Sequence, residues 1–591
     1  MKKKVLIIEK INFFTFIVSI LLSIKYEKVL LFESKQILNN YIIHNFLLKK
    51  IFIKLLKKKI FFLDDGINEN FTFFSNKIGL NYVLKSKKFK IPFFLKKNFN
   101  TDIDKIYKKH ILNFIQSKCR LYIVFRYLNK KNDCKLIECY KDYFNLKSEL
   151  KVNSGVTTFA TFFENFNFFI KSNLYIFKSL YNYIFINRFH FKKKLKNFDI
   201  GYQLSNRGEN EELLISELIN KKDIKVVFIK SIWKLDKKYY DSLKNLKVIS
   251  SENNSINIFF FFTDILKKIL IFYINSIYSN QYDNFISIKI LKDFIDQEIF
   301  CQHYRIENFV SRDDYWESHG LRTIVQNRHK LKHIGIQHSA FLKPYGNSYI
   351  CFDYFDTYIR YNKLNYNLYK NFSFSKFNKI VGNFTVENIL KYKETKLKNN
   401  IVSQNYINKV NILVIPPLLF GNEFVNYNDL FKKLEFINKI LLNYKNVNFF
   451  ISIRKNLKKN IKIFFEKNKE MKNYKDRIFF NEKFNTQELI IFSDIIIVND
   501  TSSIAIETLS FNSNKILCVA NFRFAKKKAI PWFEIDKKII KQSSNEIYDF
   551  ISSAIDNPNY IKSEQKKILL EDLNLNERDI SKKIVNECLG I

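Results

Sequence analysis

Short apolar runs bounded by polar residues alternate with longer amphipathic stretches along most of this chain. A parallel α/β sheet demands that alternation, because its strands are buried on both faces and each needs a helical crossover to reach the next. On this reading strands lie at 5–9, 28–32, 60–63, 121–125, 200–204, 225–229 and 247–250, then at 306–310, 333–337 and 355–359. After a polar, Lys- and Asn-rich stretch at 391–409 the pattern starts afresh, with strands at 411–415, 448–453, 476–480, 495–498 and 515–519. The expected class is therefore α/β, with two Rossmann-like domains facing a central cleft and ligands at the carboxyl ends of the strands. The first domain spans 1–390, the linker 391–409 and the second domain 410–560, and a final helix at 561–591 can pack on either half. One stretch breaks the alternation: about 159–197 is dense in Phe and Tyr, ends in Lys192-Lys193-Lys194, and reads as a helical insertion.

Composition narrows the class further. With 591 residues, 47% hydrophobic and 26% charged, the chain is a folded multi-domain protein rather than a disordered one. Its formal charge of +42 has two sources to choose between: anionic partners, or an A/T-rich coding bias that favours Lys, Asn, Ile, Phe and Tyr. Seven cysteines stand singly with no CxxC spacing, which points to neither a zinc site nor a disulfide framework and fits a reducing cytoplasm. Val5 to Ile8 follow three lysines, but Glu9 and Lys10 interrupt any signal-peptide core, so this start reads as a buried strand. The apolar stretches at 11–24 and from Ile256 onward, the latter broken by Asp264, Lys267 and Lys268, are shorter than the ~20 residues a bilayer span needs, so no transmembrane helix is expected. The segment 47–59 sets Leu48, Ile51, Phe52, Leu55 and Leu56 at helical spacing against Lys49, Lys50, Lys54, Lys57 and Lys58. Either its apolar face joins the core, or it lies on an anionic membrane surface.

Three segments carry candidate chemistry. In 493–509 an apolar strand runs into Asn499-Asp500-Thr501-Ser502-Ser503 and a helical pattern opens at once. Free backbone N–H groups and small hydroxyls converge there, where a helix start favours an anion, although N-capping by Asp500 or Thr501 explains the same residue types. Glu507, one turn on, can accept from a ribose or sugar hydroxyl. In 332–341 a strand delivers His338 at its carboxyl end, ahead of a Pro/Gly loop, where a histidine can act as base or stabilise a leaving phosphate. Five of the eight histidines fall between His303 and His338, which points to chemistry near residue 338. Between these halves, Asp313, Asp314, Glu317 and His319 offer a base or acceptor-binding groups, or an acid-rich capped helix start. Asp102-Ile103-Asp104 has the spacing of a metal-binding pair, but its surroundings do not support one and no metal is assigned.

The order Gly335-Ile336-Gln337-His338-Ser339, Asp353-Tyr354-Phe355-Asp356-Thr357-Tyr358, Lys379-Ile380-Val381-Gly382-Asn383-Phe384, and then 493–507, resembles GT-B glycosyltransferases of surface and capsular polysaccharide synthesis. It is also similar to the CDP-glycerol glycerophosphotransferases of teichoic acid assembly. The resemblance covers roughly 306–520. It implies His338 in the catalytic cleft, donor phosphates on Ser502 and Ser503 with Thr501 beside them, and Gly382 and Glu507 on the donor side. The strand-end Arg-x-His of that group stands here as Arg454-Lys455-Asn456, so Arg454 can still pair with phosphate. The expected activity is metal-independent transfer of a sugar from a nucleotide-activated donor to a cell-surface polysaccharide or lipid-linked glycan. It needs no cofactor and takes place on the cytoplasmic side, at the membrane periphery. A glycerophosphotransferase-type polymerase and a nucleotide-sugar 2-epimerase share the architecture. A basic nucleic-acid-binding protein lacks any reader motif here, so nucleic acid is not an expected partner. A non-catalytic polysaccharide-export protein is the remaining alternative.

Overall fold

The computed structural model describes residues 2–9, 13–32, 46–57, 59–61, 65–85, 93–99, 102–138, 142, 144–152, 155–158, 189–190, 195–204, 211–230, 247–249, 256–276, 281–312, 318–338, 351–388, 390–391, 408–416, 427–452, 473–480, 486–499, 504–509, 515–522, 539–566 and 578–591. Most of the aromatic-rich stretch at about 159–197 lies outside them. Among the described residues up to 391, the chain builds two larger parallel sheets and a two-stranded one. The first contains β1 (Lys4–Ile8), β2 (Lys28–Leu31), β3 (Asp133–Glu138) and β4 (Val156–Thr158) in the order β2-β1-β3-β4. A two-residue strand β5 (Phe189–His190) pairs in parallel with another short strand, Ile256–Asn257. The second sheet collects β6 (Lys196–Gln203), β7 (Val226–Ile229) and β8 (Val248–Ile249). After β9 (Ile256–Asn257) it adds β10 (Tyr304–Ser311), β11 (Lys332–Ile336), β12 (Thr357–Arg360) and β13 (Phe377–Ile380). Its order is β13-β12-β11-β10-β6-β7-β8.

The third sheet holds β14 (Val410–Ile415), β15 (Val447–Ile451), β16 (Ile478–Phe480), β17 (Ile495–Asn499), β18 (Ile516–Ala520) and β19 (Ile540–Lys541), ordered β16-β15-β14-β17-β18-β19. Counted from its own first strand, this is the dinucleotide-fold order 3-2-1-4-5-6, and the second sheet has the same order with one strand added. Every residue of β15, β17 and β18 is buried, which is why these strands read as unbroken apolar runs. Helices Tyr427–Asn443 and Ser544–Asp556 cover one face of this sheet with Leu434, Ile437, Ile440, Ile547 and Ile551. Leu413, Phe450, Ile496, Val498 and Leu517 belong to a different apolar cluster, one that also takes in Ile200, Ile336 and Tyr361 of the second sheet.

Where expectation and structure part, the strand signal was ambiguous. Residues 121–125 lie inside helix Ile103–Asn129, which buries Leu121, Tyr122, Val124, Phe125 and Leu128 together with Ile111, Ile115 and Lys118. A helix buried on most sides shows the same apolar run as a strand, and only length separates them. Of 60–63, Ile60 makes a single bridge to Val29, and 62–63 lie outside the described residues. Strands β3, β13 and β19 escaped notice because their sequences DCKLIE, FNKI and IK are not apolar runs, and β13 and β19 are edges.

Helix Ile103–Asn129 also carries a charge into the interior. Lys118 Nζ lies 2.9 Å from the Glu9 carboxylate, just past β1, and 3.3 Å from Glu138 Oε1 at the end of β3, and all three side chains are buried. Tyr122 donates to Glu138 Oε1 at 2.5 Å, and Lys147 pairs with the other oxygen.

The final helix, Ile580–Leu589, returns to the second sheet. Ser581 N and Oγ donate to Glu387 Oε2 at 2.8 and 2.6 Å, Lys221 Nζ reaches Asn586 Oδ1 at 3.3 Å, and Lys379 pairs with Glu587. Gly382 makes this possible. Its φ is +128°, and a Cβ there would stand 2.9 Å from Ile580 Cγ1. Gly382→Ala is thus expected to lower stability by about 1–3 kcal/mol, read as a lower urea midpoint at unchanged slope. An unchanged midpoint would show that the helix seat is dispensable.

Candidate functional site

In a doubly wound sheet the ligand crevice opens at the carboxyl edge where the strand order reverses. In the second sheet that point lies between β6 and β10. Strands β10, β11 and β12 run parallel in register, with Ser311 beside Gly335 and Ile336 beside Ile359, so Arg312, His338 and Tyr361 all emerge at one edge. The Arg312 guanidinium ties that edge together. Nη1 donates to Glu211 Oε1 at 2.7 Å, and Nη2 donates to the His338 carbonyl at 2.8 Å and to the Tyr361 hydroxyl at 3.1 Å. The plane lies over the Phe384 ring, 4.6 Å from its centroid. Burial opposes the arginine's charge, but Tyr361 and Glu211 outweigh it and hold the proton more firmly than usual. Arg312 Nε is buried and has no hydrogen-bond partner among the described residues.

His338 is half-buried, and its Nδ1 lies 3.3 Å from the Arg312 carbonyl oxygen. A carbonyl only accepts, so the neutral ring carries its proton on Nδ1 and keeps the lone pair on Nε2. That is the tautomer a general base needs. Gln337 fixes the strand end behind it: Nε2 donates to Asn365 Oδ1 at 2.9 Å, and Oε1 accepts from Tyr361 N at 3.1 Å. Gly335 is required for packing, since a Cβ there would come within 2.6 Å of the Phe355 ring.

Of the rest of the histidine cluster, His303, His319 and His333 are buried and His329 is exposed. His319 is fully buried. Its Nε2 accepts from Tyr354 N at 3.1 Å and its ring stacks on Phe355 at 4.5 Å. That corrects its place among the catalytic candidates: the ring has no surface to offer a substrate. The Thr323 hydroxyl donates to the Tyr354 carbonyl at 2.6 Å. It therefore accepts from His333 Nδ1 at 2.8 Å, which leaves His333 Nε2 to accept from Ser311 Oγ at 2.9 Å. His329 faces Glu298 at 2.8 Å, and His303 is buried. The Asp353-Tyr354-Phe355-Asp356 motif is likewise framework. Asp353 holds Arg360 at 2.9 Å and Ser375 at 2.8 Å, and Asp356 caps His333 N at 2.9 Å. Asp102 takes Lys105 and the Tyr354 hydroxyl, each at 2.7 Å.

On the side where the sequence places the donor, the third sheet reverses order between β14 and β17. Strand β17 ends at Asn499, and helix Ile504–Leu509 is the next described element. Thr501, Ser502, Ser503, Arg454, Asp313, Asp314 and Glu317 lie outside the described residues, as does the Glu507 side chain. Gly382, expected on this side, is instead the seat of the final helix. Sequence reasoning also passed over Arg312, Glu211 and Tyr361. Arg312 and Tyr361 do carry a signal, each following a strand directly, but Glu211 stands 101 residues from Arg312 and nothing local links the two.

Two dinucleotide-order sheets in tandem, with the last helix returning to the earlier one, define a GT-B architecture, here preceded by an extra four-stranded unit. No protein-family model and no curated protein matches the sequence. Among solved structures, the chain is similar to S. aureus MnaA crystallised with UDP, at 14% identity over 66% of this chain and 96% of that one, TM-score 0.44. It is also similar to the Neisseria meningitidis UDP-GlcNAc 2-epimerase bound to UDP-GlcNAc, at 14% identity over 67% and 100%, TM-score 0.44. Acinetobacter baumannii MurG matches at 10% identity over 67% and 100%, TM-score 0.38.

Proposed function

We propose that the chain is a glycosyltransferase. Its nucleotide-activated sugar donor sits at the carboxyl edge of the third sheet, and its acceptor, a cell-surface polysaccharide or a lipid-linked glycan, meets the second. The observation that carries this reading is His338, held at the switch edge of the second sheet in the tautomer that leaves Nε2 basic. In this reading His338 takes the proton of the attacking acceptor hydroxyl, with Asp314, just past Arg312 in sequence, as a further acceptor-side group. Arg312 is a positioning residue that fixes the His338 backbone. Backbone N–H groups and hydroxyls at Thr501, Ser502 and Ser503, with Arg454, neutralise the departing diphosphate, and Glu507 binds a donor hydroxyl. Fixed donors of this kind stabilise developing negative charge without a metal.

The test is transfer of labelled sugar from UDP-, GDP-, CDP- or CMP-sugars to an envelope glycan or lipid fraction. One donor is expected to label that fraction; label that stays on the nucleotide with every donor would overturn the reading. Arg312→Lys keeps the charge opposite Glu211 but loses the fork that reaches the His338 carbonyl. It is expected to lower kcat/KM by about 10²-fold. Activity within a few-fold of the parent would remove Arg312 from the site.

A further inference from the structure

Helix Phe13–Ser23 turns the wrong face outward. It contains no charged residue, and its hydroxyl residues Thr15, Ser19 and Ser23, one turn apart, are the ones packed inward, at 0%, 0% and 2% exposure. Its outer side shows Ile17 and Leu21 at 42% and 62%, and Ile24 just beyond its end at 75%. A surface helix of a water-soluble domain shows the opposite arrangement, with polar residues outside. Helix Phe46–Leu55 lies alongside. It buries Phe52 against Phe16, with ring centroids 6.1 Å apart, and exposes Ile51 and Leu55 at 40% and 62%. Exposed Lys25, Lys54 and Lys57 flank these aliphatic side chains, and Lys59 Nζ donates to the Ser23 carbonyl at 2.7 Å, tying the two segments together. Glu27 is the one acid among the described residues of 13–32 and 46–61.

We propose that this two-helix face docks the chain on an anionic membrane surface, its aliphatic side chains in the acyl boundary and its lysines among the lipid phosphates. At 11 and 10 residues the helices are too short to span a bilayer and suited to lie in its interface. The charge selects this occupant over a second copy of the chain, because a two-fold interface would bring this lysine-bearing, nearly acid-free patch against an identical one. The inference stands apart from the transfer reading, since docking is measured without donor or acceptor.

The experiment is co-sedimentation of the full chain with phosphatidylcholine vesicles and with vesicles that also contain phosphatidylglycerol. Binding is expected on the anionic vesicles alone, weakening as salt rises from about 0.1 M to about 0.5 M. A Leu21→Glu, Leu55→Glu variant is expected to bind about 10-fold more weakly or not at all. Both replaced side chains are exposed, so an unchanged melting midpoint is expected to show that the variant folds. A Phe262→Glu, Leu270→Glu variant alters a separate exposed apolar stretch, on 258–276, and is expected to bind as the parent does. The proposal fails if the parent binds neither vesicle or both equally, or if the Leu21/Leu55 variant binds unchanged. It fails too if the face proves to hold a concentration-dependent dimer that the variant dissolves.

Discussion

His338→Ala is expected to lower kcat by about 10²–10⁴-fold, the usual contribution of a positioned general base. The effect should fall on kcat, with the KM for the donor within a few-fold, because the residue belongs to the second sheet and the donor is assigned to the third. The prediction follows from one hydrogen bond: Nδ1 faces the Arg312 carbonyl, so under the proposed reading the nitrogen that would act as base is Nε2. Nearly full activity for His338→Ala would reduce the residue to a strand-end packing group and favour a non-catalytic role for the chain.

Lys118→Met is expected to destabilise the fold by about 3–5 kcal/mol, because it strands two buried carboxylates without their shared cation. Lys118 faces Glu9 and Glu138 with no side-chain exposure. Burial alone would raise the Glu138 carboxyl, but Lys118, Lys147 and the Tyr122 hydroxyl outweigh it and hold it below the usual range. Burial would likewise lower Lys118, but Glu9 and Glu138 outweigh it and raise it. The signs set the pH window. A depressed Glu138 stabilises the fold above its unfolded value of about 4.3, and that stability is lost as pH falls through its lower folded value. A raised Lys118 stabilises below its unfolded value of about 10.4, and that stability is lost as pH rises through its higher folded value. Urea midpoints across pH should show a plateau between these flanks. Combining Lys118→Met with Glu9→Leu and Glu138→Leu should recover most of the loss, since a packed apolar replacement of a buried ion cluster is often neutral. A single Lys118→Met variant as stable as the parent would mean the charges are not buried together.

The third sheet could be read almost strand for strand because its members are buried on both faces, so each stands as an apolar run such as IIIVN or VNFFI. The first unit was harder to read. Its long helix buries residues nearly all round and imitates a strand at 121–125, while β3 opens on Asp133 and closes on Glu138, the partner of Lys118. At the candidate site, His338 follows an apolar strand, Tyr361 is level with it on β12, and Arg312 stands two positions earlier on β10. The histidine cluster that drew attention to this stretch includes His319 and His333, which are buried among packing partners, and His329, which is exposed and faces Glu298, so clustering in sequence does not mark one shared site. Gly382 packs against the helix Ile580–Leu589, far along the chain, and no local pattern reveals that contact.

The central claim is a nucleotide-activated donor on the third sheet, and the most direct measurement is the thermal midpoint of the full chain against UDP, CDP, GDP, CMP and their sugars. A ligand at 100 times its Kd stabilises the native state by about 2.7 kcal/mol, which for domains of this size corresponds to a rise of several degrees. One nucleotide family is expected to give that rise, and a Ser502→Ala, Ser503→Ala, Arg454→Ala variant is expected to abolish it. If none of these nucleotides or sugars moves the midpoint, the account is contradicted.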